Sequence, residues 1–260
     1  MKHIERKFLV QLNEVEFEQL SNNTKLEIVE RGKDAKPLDQ KYSKDHVGYL
    51  KTTKGFAIQA FPHKVNGKIF LIPEPNPTLI YFSSAQNNFR ALEKYKNDLL
   101  PKIDVQSDIS DEIIHDFYNY FGAVSGCVIF LFTSIESFMN SLIKDSHVYR
   151  KVQNNRTELY NKSQIEAYIS FDEKIKKVIP QLTGIDYLKK HPNIAQHISN
   201  LKDFRDNIIH TKSNVETFKY DHIVKRSFGF SYEKTIDAVA SYMNGYRKDF
   251  IKECNCGKDF

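Results

Sequence analysis

The sequence predicts an α+β protein, with a small mixed α/β region over residues 1–78 followed by an all-α bundle over residues 79–260. Three observations carry this reading. Asn66-Gly67, flanked by the strand-like segments Phe56 to Phe61 and Lys68 to Ile72, is the dipeptide that suits a two-residue hairpin turn. The run Pro73-Glu-Pro-Asn-Pro77 makes a stiff connector, which sets the domain boundary. Beyond it apolar residues recur at helical spacing, most clearly between Asn193 and His210.

Within the first region, Ile4, Phe8, Val10 and Leu12 share one face of a strand, and Asn13 with Glu16 opens a short helix. Pro62 limits how far the hairpin pairing runs. Lys41, Lys44, Lys51, Lys54, Lys64 and Lys68 interleave with Tyr42, Tyr49, Phe56 and Phe61, and Asp45 alone opposes them between positions 41 and 68. Such a segment either tracks a single-stranded nucleic acid, with cations on the backbone and rings on the bases, or forms a solvated sheet face with its aromatics turned inward.

Past the connector, Ser84 begins a helix that ends before Pro101. Ser110, followed by Asp111 and Glu112, begins a second, which continues with a bend near Gly122 and Gly126 to about Ile143. Ser163 and Glu166 make a capping box, and the stretch Lys174 to Ile179 stops at Pro180. Asn193 caps the helix that runs to His210, and a last helix from about Tyr232 to Ile251 aligns Ile236, Val239, Met243 and Phe250. The uncharged run from Phe117 to Ile135 approaches the length of a membrane span. Asn119, Ser125, Thr133 and Ser134 interrupt it, and the stripe Val124, Val128, Leu131, Ile135, Phe138, Leu142 suits a bundle helix, so no membrane role is expected.

Composition narrows the chemistry. At 260 residues, 40% apolar and 27% charged, the chain can bury a sizeable core. A net charge of +5 permits an anionic partner without demanding one. Three cysteines without a framework point to a reducing, cytoplasmic setting, and the charged start Met-Lys-His-Ile-Glu-Arg-Lys is not expected to be a signal peptide. There is no H-E-x-x-H, G-x-S-x-G or phosphate-cradling glycine loop. Cys254-Asn-Cys256 supplies half a zinc site and reads as a frayed tail, while His46, His63, His191 and His197 lack ligand spacing. No metal or cofactor is expected.

The helix from Asn193 to His210 holds the anomaly. Ile194, Ile198, Leu201, Ile208 and, at the edge, Ile209 form one stripe, and Arg205 falls in its middle. A guanidinium keeps its proton and is seldom buried alone, so this face meets an acid, a ligand or a second chain. His210 points away from Arg205 on a straight helix and has Asp206 as its i+4 neighbour. For Arg205 and His210 to act together, either the helix unwinds near its end or two copies meet. On the second helix Glu136 and Asn140 lie one turn apart; Glu136 is either the acid opposite Arg205 or an exposed residue with an unrelated Asn beside it.

Arg205-Asp206-x-x-x-His210 at a helix end, with the earlier helical stretch Ser134-Ile-Glu-Ser-Phe-Met-Asn140, resembles the HEPN superfamily of prokaryotic RNases over roughly residues 84–253. That family's signature is Arg-x4-6-His, commonly with a polar residue directly after the Arg, as Asp206 is. The resemblance implies an HEPN-like bundle that forms a homodimer with two Arg/His pairs in one cleft and cuts RNA without a metal. It implies that Arg205 and His210 are catalytic, that Asp206, Glu136 and Asn140 support them, and that the products are 2′,3′-cyclic phosphate and 5′-hydroxyl ends. Many such proteins are toxins with a cognate antitoxin or act in phage defence. A non-catalytic HEPN-like module that binds nucleotide or RNA, or only dimerises, is the other reading. Residues 1–78 carry no such resemblance; their Lys51, Lys54, Lys64 and Lys68 are the candidates for RNA contact.

Overall fold

A computed structural model describes residues 3–23, 48–104, 108, 110–153, 156–210 and 220–256. The chain divides into two compact units, Arg6–Asn76 and Met1–Glu5 with Pro77–Phe260. The boundary thus falls at the last proline of the connector, and the first five residues belong to the helical unit.

In the smaller unit, β1 (Gln11–Leu12), α1 (Glu14–Asn23), β2 (Gly48–Lys51), β3 (Ala57–Val65) and β4 (Lys68–Pro73) follow in order. All strand pairs are antiparallel, and β3 pairs with each of the other three. Asn13 and Glu16 cap α1 reciprocally, each side chain accepting from the other's backbone N–H at 2.9 Å. Asn66 (φ 49°) and Gly67 (φ 80°) both lie in the left-handed region, the geometry that a two-residue turn needs to follow strand twist. Pairing does not stop at Pro62. It runs on to Ala60↔Pro73, because β2 reaches only Ala60 and, among the described residues, Pro62 has β4 on one side alone.

The single strand expected from Ile4 to Leu12 is broken up. Phe8 bridges to Pro75 and packs on Leu50, Ile58, Ala60 and Leu71, whereas Val10 and Leu12 pack on Phe17, Tyr49 and Ala57. Ile4 bridges to Glu253 and is fully buried in the core of the helical unit. Residues that look alike in the pattern serve three different cores.

In the helical unit, α2 (Pro77–Leu99) starts seven residues ahead of Ser84. Proline lacks only an N–H that the first turn leaves unused, so Pro77 opens the helix itself. α3 (Asp111–Leu142) is capped by Ser110, whose side chain accepts from Ile113 N, and runs as one helix past both glycines. α2 and α3 are antiparallel neighbours: Thr78 meets Ser137 at 3.0 Å, and Lys102, just beyond α2, meets Asp116 at 2.6 Å. Gly126 permits the approach, since a Cβ there would stand 2.5 Å from Asn88 Oδ1. α3 alone among the described helices is long and apolar enough to cross a membrane, and half of its most apolar window is buried in the fold.

The region expected to be all-α also contains a hairpin, β5 (Tyr149–Gln153) with β6 (Arg156–Tyr160). Lys151 opposes Glu158 in its two-stranded ladder. The capping box of α4 (Lys162–Tyr168) is Asn161 with Gln164, two residues ahead of the expected Ser163 with Glu166. α5 (Phe171–Glu173) continues through a π-helical stretch, Lys174–Val178, into α6 (Ile179–Thr183), so Pro180 lies in a first turn instead of ending a helix. After α7 (Tyr187–Lys190) comes α8 (Pro192–Ile209), begun by Pro192 with His191, not Asn193, at its cap position. α9 (Asp221–Gly229) and α10 (Tyr232–Tyr246) complete the unit. α10 ends five residues before Ile251, and the Asn244 amide holds the returning chain, bonding Ile251 N at 2.8 Å and Ile251 O at 2.9 Å. The core is built on α3, which packs against α2, α6, α8, α9 and α10.

Candidate functional site

α8 buries Ile198, Leu201 and Phe204. Phe204 was absent from the expected stripe, and its burial turns the inner face toward itself. Arg205 therefore lies at the flank of that face, with 28% of its side chain exposed. Its guanidinium carbon sits 4.7 Å from the ring centroid of Phe132 on α3, and Phe132 in turn packs 4.5 Å from Phe171. The cation is thus carried on an aromatic surface.

Its acid is the neighbour in sequence. Arg205 Nη1 donates to Asp206 Oδ1 at 3.0 Å, and Asp206 Oδ2 accepts from Lys202 Nζ at 2.9 Å. Lys202 also reaches Asp172 at 3.4 Å, and Asp172 accepts from Lys176 at 3.0 Å. Alternating charges therefore run across α8 and α5. Burial works against the charge on Asp206, but the hydrogen bonds from Lys202 and Arg205 outweigh it and hold the carboxyl below its usual range. Among the described residues Asp206 is the only hydrogen-bond acceptor for Arg205, which leaves guanidinium donors for an incoming anion.

His210 follows the last residue of α8. Its N–H still bonds Asp206 O at 2.9 Å, but φ −104° and ψ 54° leave the helical region. The side chain is exposed and makes no hydrogen bond or ion pair with another described residue. Asp206 therefore joins the two halves of the motif: its carboxylate holds Arg205 and its carbonyl holds the backbone of His210. No hydrogen bond or ion pair joins Arg205 to His210 within the chain.

Glu136 and Asn140 lie beside a different cation. Lys174, 5% exposed, donates to Glu166 O at 3.1 Å and to Asn140 Oδ1 at 3.4 Å. Burial lowers its pKa, and the charges of Glu136 and Glu166 partly restore it. Glu136 is one turn along α3 from Phe132, so it serves the neighbouring layer while Asp206 takes the place expected for it opposite Arg205.

In the smaller unit Lys51, Lys54, Lys64 and Lys68 are exposed; Lys41, Tyr42 and Lys44 fall outside the described residues. Tyr49 is buried, but Phe56 and Phe61 are 38% and 40% exposed. Among the described aromatics of the segment, the inward-facing alternative therefore holds for Tyr49 and not for Phe56 or Phe61. The β3–β4 register places Phe61, His63 and Val65 on one face with Ile72, Phe70 and Lys68, and Phe70 is an exposed ring that the basic-segment pattern had not included.

Two hollows, of about 560 and 360 Å³, are lined by Tyr149, Lys151, Glu173 and Gln181 and by His197, Arg226, Ser231 and Thr235 respectively; neither contains Arg205 or His210. A further cluster brings His3 to Cys254 and Cys256, with ligand atoms all within 4.8 Å of one another, so the tail expected to fray has a third metal-binding side chain beside it.

Of these residues, Lys202 was legible as the i−4 partner of Asp206. Phe132, Phe171, Asp172 and His3 were not, since each acts across a long sequence separation. No family model, curated protein or solved structure matches the chain.

Proposed function

We propose that the helical unit is an RNA-processing bundle of the HEPN type. More particularly, we read the protein as a metal-independent endoribonuclease acting as a homodimer, in the role of a toxin or phage-defence effector. The observation that carries the proposal is the Asp206 junction, which holds Arg205 over Phe132 with donors to spare next to an exposed His210 whose side chain has no hydrogen-bond or ion-pair partner among the described residues. A site outside both of the hollows described above suits half of a cleft that a second copy completes.

RNA brings its own nucleophile. On this reading a neutral His210 imidazole takes the proton of a 2′-OH as the 2′-oxygen bonds to phosphorus, Arg205 neutralises the phosphoryl oxygens, and the P–O5′ bond breaks. The imidazolium so formed then gives its proton to the leaving 5′-oxygen and returns to the neutral form, so the products are a 2′,3′-cyclic phosphate and a 5′-hydroxyl. Asp206 keeps Arg205 over Phe132. The exposed lysines and rings of the smaller unit support a part in holding single-stranded RNA.

The test is cleavage of a mixed RNA in excess chelator. Wild type cuts, and Arg205→Ala and His210→Ala each lose at least roughly 100-fold in rate with unchanged circular dichroism. Cleavage that stops with chelator and returns with magnesium overturns the metal-free route, and full activity in His210→Ala overturns the site. The intrachain engagement of Arg205 by Asp206 and Phe132 favours, as a second reading, a non-catalytic HEPN-like module; RNA binding without cutting assigns it.

A further inference from the structure

The two ends of the helical unit are paired along their backbones. After Asn244 returns the chain at Ile251, Glu5 N bonds Lys252 O at 2.8 Å, Ile4 bridges Glu253, and Cys254 N bonds His3 O at 2.6 Å. Lys252 and Glu5 add an ion pair at 3.1 Å. This register sets His3 against Cys254, and Cys256 comes within 3.5 Å of His3 Nδ1 through its Sγ.

We propose that His3, Cys254 and Cys256 bind a thiophilic divalent metal ion of the zinc class, clasping the N-terminal segment to the C-terminal tail.

The donor set and the spacing both argue for it. Two thiols and an imidazole are ligands for zinc-like ions, not for magnesium or calcium, which take oxygen. Zn–S of about 2.3 Å and Zn–N of about 2.0 Å at a tetrahedral angle put sulfur and nitrogen roughly 3.5 Å apart. The structure has Nδ1 and Sγ at 3.5 Å, and the whole set within 4.8 Å. Cys254 is half-buried and Cys256 exposed, so an ion reaches them from solvent. Binding displaces the two thiol protons, takes the lone pair of a neutral His3, and leaves a fourth position for water or another donor; no electron is transferred. Cys127 is no competitor, being buried with its thiol pushed up to about 12. The clasp is independent of the RNA-cleavage reading, and RNA cutting by Cys256→Ser leaves it untouched.

The test titrates cobalt(II) into the full-length protein, reduced and freed of metal. One ion per chain is expected, with thiolate-to-cobalt charge transfer and the visible bands of a tetrahedral site, bleached by zinc, and two protons released. Zinc raises the Tm of wild type. Cys256→Ser alters an exposed side chain and keeps the fold; it loses the charge-transfer intensity, at least roughly tenfold in zinc affinity, and the Tm shift. His3→Ala keeps both thiolates and hence charge transfer, but it changes the visible bands of the tetrahedral site and loses at least roughly tenfold in zinc affinity and the Tm shift. Bands that are absent, or unchanged in both variants, overturn the site.

Discussion

Replacing Phe132 by Leu removes the surface on which Arg205 rests while leaving the position apolar. Phe132 is 2% exposed, lies 4.7 Å from the Arg205 guanidinium carbon and packs 4.5 Å from Phe171. A partly exposed cation–π contact contributes about 0.5–1 kcal/mol. A well-placed aromatic pair contributes a further ~0.5–1.5 kcal/mol, and the smaller side chain adds a few tenths for the space it leaves. Phe132→Leu should therefore cost about 2 kcal/mol. The sharper quantity is the coupling to Arg205, obtained by adding Arg205→Met, which keeps the aliphatic packing, and the double variant. Urea unfolding followed by far-ultraviolet circular dichroism reports on the helical unit, and the cycle should return roughly 0.5–1 kcal/mol. A coupling below about 0.3 kcal/mol refutes the reasoning, because the guanidinium would then gain nothing from the ring. In the cleavage assay Phe132→Leu should slow turnover by roughly fivefold, as expected for loosening Arg205 without removing it.

Mixing inactive Arg205→Ala and His210→Ala proteins tests whether sites are shared: half of randomly formed dimers are mixed and each carries one complete Arg/His pair, so about a quarter of wild-type cleavage should return. No recovery, or an active monomer by light scattering, removes the shared cleft. Changing Lys51, Lys54, Lys64 and Lys68 together to Gln should weaken RNA binding and reduce the slope of log affinity against log salt by up to about 3, at roughly 0.7 per phosphate contact on a single strand, with turnover at saturating RNA preserved. An unaltered slope returns these lysines to an ordinary solvated face. Lys174 gives a pH test. Its folded pKa is lowered by burial, so between that value and its unfolded value of about 10.4 the unfolded chain holds more protons and wild-type stability rises with pH. The stability of wild type relative to Lys174→Met should accordingly improve as the pH is raised toward about 10; a flat or opposite trend in urea unfolding would mean that Lys174 is charged without penalty.

Features that depend on near neighbours in the chain could be read from sequence. Asn66-Gly67 requires two left-handed residues, Ser110 and the Asn13/Glu16 pair cap the helices that follow them, and the α3 stripe from Val124 to Phe138 is buried as its period demands. The Arg205-Asp206 pair and the helix end at His210 were visible for the same reason. Competing local signals were harder to rank: Pro77 and Pro192 start helices ahead of Ser84 and Asn193, because a first turn accepts proline as readily as it accepts a capping side chain. Tertiary structure alone decided the rest. Ile4 leaves its neighbours for a different core, Phe132 rather than Glu136 is the α3 residue that receives Arg205, Glu136 turns to Lys174, and His3 meets Cys254 and Cys256. Each of these contacts joins residues far apart in the chain, where periodicity gives a residue's face but not its opposite number, since the partner is set by how helices and termini pack around α3.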